Sequence, residues 1–217
     1  MNNSALIHKT IQFVKEKLNN AEGGHDWFHI ERVYKNALLI AGNTDCNLTI
    51  VQLGALLHDI ADSKFHNGDE TIGPKTARLF LESENVKEDI VRHVVNIIEN
   101  ISYKGGNFAN NFSSVELDIV QDADRLDAIG AIGVARAFNY GGFKNRALYD
   151  PEIVPVTNMT KEEYKNNNAP TINHFYEKLL LLKDKMNTLT GKQIAEERHR
   201  FMETFLAQFY SEWEGIK

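Results

Sequence analysis

Only one cysteine, Cys46, occurs in the 217 residues. No intrachain disulfide can form, and zinc sites built from several thiolates are excluded. A reducing cytoplasm is the expected compartment. Long hydrophobic runs are also missing: no stretch approaches the roughly 20 apolar residues of a membrane span. The opening MNNSALIHKTIQFVKEKLNN lacks the basic stretch and apolar block of a secretory leader. Positive charge is in deficit, with 24 Lys and Arg against 30 Asp and Glu, a net charge of −6. The basic residues are dispersed, so neither a nucleic-acid groove nor an anionic membrane surface is expected as a partner. A phosphorylated substrate would have to be held against that field by a metal and a few well-placed Lys or Arg.

Proline is scarce as well, four residues in all, and three of them are Pro151, Pro155 and Pro170. Elsewhere the chain carries 42% hydrophobic residues at helical spacing, enough for a packed core. The periodicity predicts helices over about 4–20, 26–42, 49–63, a short one from Pro74, then 86–100, 114–127, 129–139 ending at Gly141-Gly142, 171–186 and 192–213. No strand or repeat is legible. An all-α chain folding as a single domain over 1–217 is the expectation. Between 143 and 169 the period lapses, and a lid or insertion is expected there. Within it, Tyr149, and Tyr140 just before it, are candidates to stack a base.

Some titratable residues lie where apolar ones belong. His29 shares a stripe with Val33, Ala37 and Ile40. His58 and Asp59 close the apolar run GALLHD, and Asp124 sits one turn from Val120 and two from Leu117. A charge buried without a partner costs several kcal/mol, so such groups are paired or metal-bound. Singly, an inward His is usually a hydrogen-bonded core residue and an inward Asp a cap or ion pair. Together, two imidazoles and two carboxylates from three helices share one explanation, a divalent cation, and that donor set suits Mn, Fe, Zn, Ni or Co. His58 and Asp59 point about 100° apart on a helix and share an ion only if it lies between their directions.

The order His, His-Asp, Asp on successive helices resembles the HD-domain superfamily of metal-dependent phosphohydrolases. The strings GGHDWFHIERV, LLHDIADSK, ISYKGG, QDADRLDAIGAIGVARAFNYGG and GKQIAEERHRFMETFLAQFYSEWEG are similar to its small bacterial YedJ-like branch. The resemblance covers nearly the whole chain. It implies an HD-type helical bundle with one buried divalent ion, manganese favoured among Mn, Fe, Co, Ni, Zn and Mg. Carried over, the ligands are His29, His58, Asp59 and Asp124; Asp124 is chosen over Asp122 and Asp127 because the family motif places the ligand just before Arg125. The implied activity is hydrolysis of a nucleotide phosphoanhydride bond, as in a nucleoside triphosphate pyrophosphohydrolase. Alternatives on the same site are a phosphomonoesterase, a cyclic-nucleotide phosphodiesterase or a non-catalytic nucleotide sensor.

A group that orients the attacking water is also needed. Asp62 is the first candidate, with an ion pair to Lys64 or Arg32 as the alternative. Phosphate calls for cations, and those nearest the motifs are Arg32, Lys64, Lys104, Arg125 and Arg136. Lys104 precedes Gly105-Gly106, where backbone amides can approach an anion; the resemblance implies a catalytic role for it and for Arg125, and a solvated surface charge is the alternative for each of these cations. Asp26 reads as the N-cap of the second helix. His66 and His93 are either a second metal or acid site or simply structural.

Overall fold

The computed structural model describes residues 3–19, 26–61, 69–101, 112–157, 159–160, 163 and 167–216. Among the described residues all regular structure is helical. No helix among them is long and apolar enough to cross a membrane. The chain divides into two compact units, Met1–Asp124 and Arg125–Lys217.

The first unit holds α1 (Asn3–Lys17), α2 (Trp27–Ala41), α3 (Leu48–Leu57), α4 (Ile72–Ser83), α5 (Glu88–Asn100) and most of α6 (Val115–Asp127). Its centre is α3, which packs against α1, α2 and α5. The sequence LTIVQLGALL explains this, since Ile50, Val51, Leu53, Ala55, Leu56 and Leu57 are all buried. Each of the Ile, Val and Leu side chains among them contributes about 1.5–3 kcal/mol when removed from water. Gly54 lets neighbouring side chains come close: a Cβ there would lie 3.3 Å from Ile97 Cδ1 and 3.4 Å from Val120 Cγ2. Asn47 starts the helix, its side chain accepting from the amides of Thr49 and Ile50 at 3.1 and 3.4 Å.

Against expectation, α3 stops at Leu57. The chain tightens there, with the Ile60 amide donating to the Leu57 carbonyl three residues back at 3.3 Å. His58 becomes the C-cap and Asp59 lies in the following turn, so the two leave the chain at a helix end, not from neighbouring positions on a helix face. Pro74 falls in the first turn of α4, where its missing amide hydrogen costs nothing.

The second unit contains α7 (Gly130–Phe143), α8 (Thr171–Glu177), a 3-10 segment (Leu179–Lys185) and α9 (Leu189–Trp213). The sequence reading ended the helix before Gly141-Gly142, but α7 runs through both glycines. Gly141 is there for contact: a Cβ at that position would sit 2.1 Å from Thr171 Oγ1 at the start of α8. Gly141→Ala is therefore expected to destabilise the fold by about 1–3 kcal/mol through overpacking, measurable by urea unfolding, although alanine is the better helix former. The expected helix over 171–186 breaks at Lys178, whose φ of −144° leaves the helical region, and continues as the 3-10 segment.

An aromatic cluster joins Phe138, Phe175, Phe205 and Phe209. Tyr149 adds to it edge-on against Phe209, Tyr210 and Trp213 at 5.9, 5.4 and 5.0 Å. The ring is half-buried and engaged in this packing. The stretch after α7 is tied down by Thr171 and Ile172 amides donating to the carbonyls of Ala147 and Leu148 at 2.9 and 3.0 Å, and by Asn173 Nδ2 to the Ile153 carbonyl at 2.9 Å. Residues 158, 161, 162 and 164–166 of the expected lid lie outside the described residues.

His174 gives this unit a pH response. Burial, then the cations Lys178 and Arg146, hold its imidazole at about 4, against an ordinary value of 6.5. The unfolded chain therefore binds the proton more readily than the folded one between these values. Stability is unaffected above about pH 7 and falls as pH drops from 6.5 toward 4, by roughly 2–3 kcal/mol for this group. Unfolding curves across that range should show a shallower acid loss for His174→Gln than for the parent chain.

Candidate metal centre

His29 is the third residue of α2, and the helix start fixes its backbone: the Asp26 carboxylate accepts from the His29 amide at 3.0 Å, the N-cap that the sequence predicts. The His29 ring is buried. His58 is buried at the end of α3, and its Nδ1 donates to the Ala55 carbonyl at 2.8 Å. That hydrogen bond places the proton on Nδ1 and leaves the Nε2 lone pair facing inward. Burial pushes the His58 pKa down, with the His29 ring adding in the same direction and Asp124 opposing. A neutral imidazole is the form that binds a metal.

The inward atoms converge. His58 Nε2 lies 3.3 Å from His29 Nε2. Asp124 Oδ1 lies 3.5 Å from His29 Nε2 and 3.9 Å from His58 Nε2. His29, His58 and Asp59 each offer a ligand atom within 4.8 Å of the others'. Two donors bound about 2.0–2.1 Å from one ion, on adjacent positions, stand about 2.8–3.4 Å apart. The nitrogen pair meets that spacing. Two lone pairs turned toward each other inside a protein repel unless a cation or a shared proton lies between them, so this donor set fits a divalent ion.

Asn36 was not singled out by the sequence reading. Its buried side chain donates to the Ala123 carbonyl at 3.3 Å, tying α2 to α6 one residue before Asp124. The signal was present, because Asn36 lies in the same three-and-four stripe as His29, Val33 and Ile40.

Beside the cluster opens a cleft of about 700 Å³, its walls including His58, Asp59, Glu70, Lys75, Glu99 and Asn100. Arg32 is half-buried on α2. Asp62, Lys64, His66 and Lys104 lie outside the described residues. Arg125, Arg136 and Tyr140 belong to the second unit. There Arg125 donates to the Lys185 carbonyl at 2.6 Å. Arg136 forms an ion pair with buried Asp127, which engages both the proposed phosphate contact and one alternative ligand in each other's charge. Tyr140 is 43% exposed, with the Lys144 ammonium and the Arg146 guanidinium over its ring at 5.7 and 5.6 Å. Asp122 is fully buried. His93 Nε2 meets Ser114 Oγ at 2.9 Å and Glu116 at 3.3 Å, and Ser114 Oγ in turn accepts from the Leu117 amide in the first turn of α6. That ring pins a helix start, the structural alternative of the sequence reading.

A helical unit that brings a histidine, a His-Asp pair and a following aspartate to one point is the arrangement of the HD domain, and the model of that family matches residues 27–129. The chain belongs to the HD-domain family and is a hydrolase of the HD superfamily. It is 37% identical to the protein YpgQ of Bacillus subtilis over 212 residues, 94% of this chain and 92% of that one. A crystal structure of an HD-superfamily hydrolase from Bacillus thuringiensis is 46% identical, covers 98% of this chain and 99% of its own, and superposes with a TM-score of 0.80. The crystal structure of Bacillus subtilis YpgQ in complex with ADP matches with a TM-score of 0.76 at 32% identity in that superposition, over 98% of this chain and 97% of the other.

Proposed function

We propose that the chain hydrolyses a phosphoanhydride bond of a nucleotide, with one divalent ion held by His29, His58, Asp59 and Asp124. The observation that carries this reading is the convergence of two imidazole nitrogens and the Asp124 carboxylate beside an open cleft. The ADP complex of YpgQ supports the nucleotide class, since that protein matches this chain over nearly its full length. The mixed nitrogen and carboxylate donors favour manganese or a neighbouring transition metal over magnesium, which prefers oxygen ligands alone.

When bound, such an ion supplies Lewis acidity toward a phosphoryl oxygen and acidifies water. The chain's own residues set the conditions. Burial keeps His58 neutral and the Ala55 carbonyl fixes its ring. Two carboxylates with two neutral imidazoles cancel a dipositive charge, so the centre neither repels nor strongly attracts an anionic substrate as a whole. Phosphate binding must then come from cations beyond the ligand set, among which the sequence assigns Lys104, with Asp62 orienting the attacking water.

The deciding experiment incubates the manganese-loaded protein with a panel of nucleoside tri-, di- and monophosphates, cyclic nucleotides and a simple monoester, and follows products by phosphorus NMR. Pyrophosphate or orthophosphate released from triphosphates supports the reading. Turnover of monoesters or cyclic nucleotides alone would replace it with the other hydrolase chemistries. Tight nucleotide binding without product over hours would replace it with a sensor.

A further inference from the structure

The cleft beside His58 and Asp59 carries an uneven set of charges. Among the described residues its walls hold the carboxylates Asp59, Glu70 and Glu99 and two cations, Lys75 and Arg78. Arg78 is already engaged: its Nη1 donates to Glu82 and to Glu88, each at 3.1 Å. The Lys75 ammonium has no hydrogen bond or ion pair with any described residue. It is exposed, and it stands in the first turn of α4, a turn that contains no acidic residue. That is an unfavourable place for a lysine, because unpaired amides and the helix dipole make the start of a helix positive. A residue that weakens its own helix without a compensating contact points to a role outside the fold.

We propose that Lys75 is a specificity residue that holds the non-reacting phosphates of the substrate. Its role presupposes that the cleft takes phosphate chains, as the nucleotide reading above requires. A substrate whose reacting phosphoryl group lies at the His58–Asp59 end must lay its remaining phosphates along the same cleft. Glu70 and Glu99 repel those phosphates wherever they meet them, and Arg78 is discharged by its two glutamates. Lys75 is then the attractive point on the described walls, and it reads chain length: a second or third phosphate reaches it, and a lone orthophosphate at the metal does not.

The test uses titration calorimetry on the full manganese-loaded chain with inorganic tripolyphosphate and orthophosphate as probes, comparing the parent with Lys75→Ala and Lys75→Arg. Lys75→Ala should bind tripolyphosphate about tenfold more weakly while orthophosphate changes by less than about twofold, and Lys75→Arg should recover most of the loss. Metal content should be equal in all three. For a nucleoside triphosphate, Lys75→Ala should raise KM by about tenfold and leave kcat nearly unchanged, the signature of a contact made equally before and during reaction. Parent-like tripolyphosphate affinity in Lys75→Ala, or no tripolyphosphate binding by the parent, overturns the assignment. The two readings fail separately: a parent that hydrolyses no nucleotide while Lys75→Ala still loses tripolyphosphate would remove the hydrolase reading and keep the phosphate contact. A parent that turns over triphosphates with no change in Lys75→Ala would do the reverse.

Discussion

Asp59→Ala protein is expected to purify with almost no bound metal and to lose manganese-stimulated hydrolysis by about 10³-fold or more. Lewis-acid stabilisation of a phosphoryl transition state is worth several kcal/mol, and each 1.36 kcal/mol is a factor of ten in rate. Loss of one carboxylate also leaves a dipositive ion uncompensated by one charge in a partly buried site, which weakens its binding further. A thermal readout separates this from misfolding. Manganese at 100 times its dissociation constant should stabilise the parent by about 2.7 kcal/mol and should do nothing for the variant, while the two metal-free proteins should melt closely together because Asp59 is in a turn beyond α3. Asp124→Ala should behave in the same way. Full metal content in Asp124→Ala would show that the ion is held elsewhere, and would return Asp122 to consideration.

The parts of this centre were unequally legible in the sequence. His29 and His58 stand out because an imidazole in an apolar stripe needs a reason, and both are buried as that pattern requires. Asp124 gives a weaker signal: its side chain is 41% exposed, and the neighbouring Asp122 and Asp127 are the deeply buried carboxylates. Spacing from Val120 and Leu117 brings Asp124 into view, and the resemblance of DADRLD to the HD motif is what prefers it to Asp122 and Asp127. Position 59 could be read only as part of a longer helix, because Ile60 and Ala61 continue the apolar pattern past the point where the chain turns.

The start of α2 was read well, because there a polar cap, Asp26, meets an apolar period. Helix positions were read poorly where a residue's reason lay in a distant contact. Gly141-Gly142 carries the composition of a stop, yet what decides the glycine at 141 is Thr171, thirty positions away in the chain. The run Leu179–Leu182 is apolar at each position, so it names no face and gives no warning of the change to 3-10 geometry. Lys75 escaped notice for a related reason: a lysine on an amphipathic helix is ordinary in sequence, and only the cleft wall and the lack of a partner single it out.

Arg136 makes the second large prediction, because its sequence role and its structural role lead to opposite results. As a substrate contact, its replacement would raise KM in a protein of normal stability. The ion pair with Asp127, whose side chain is 2% exposed, predicts a loss of stability instead. Removing one partner of a buried pair costs about 3–5 kcal/mol. The lower end applies here, since Arg198, whose own pKa is lowered by burial and raised by Asp127, leaves a second cation near the carboxylate. Arg136→Met should therefore lower stability by about 3 kcal/mol, or the melting temperature by roughly 6–12 °C for a chain of this size. Asp127→Asn should cost at least as much, because it leaves two guanidinium groups without their shared counter-charge. Both variants should keep the metal content and the KM of the parent per folded molecule when assayed well below the melting transition. An Arg136→Met protein with parent-like melting and a raised KM would move this arginine from a structural partner of Asp127 to a contact of the substrate.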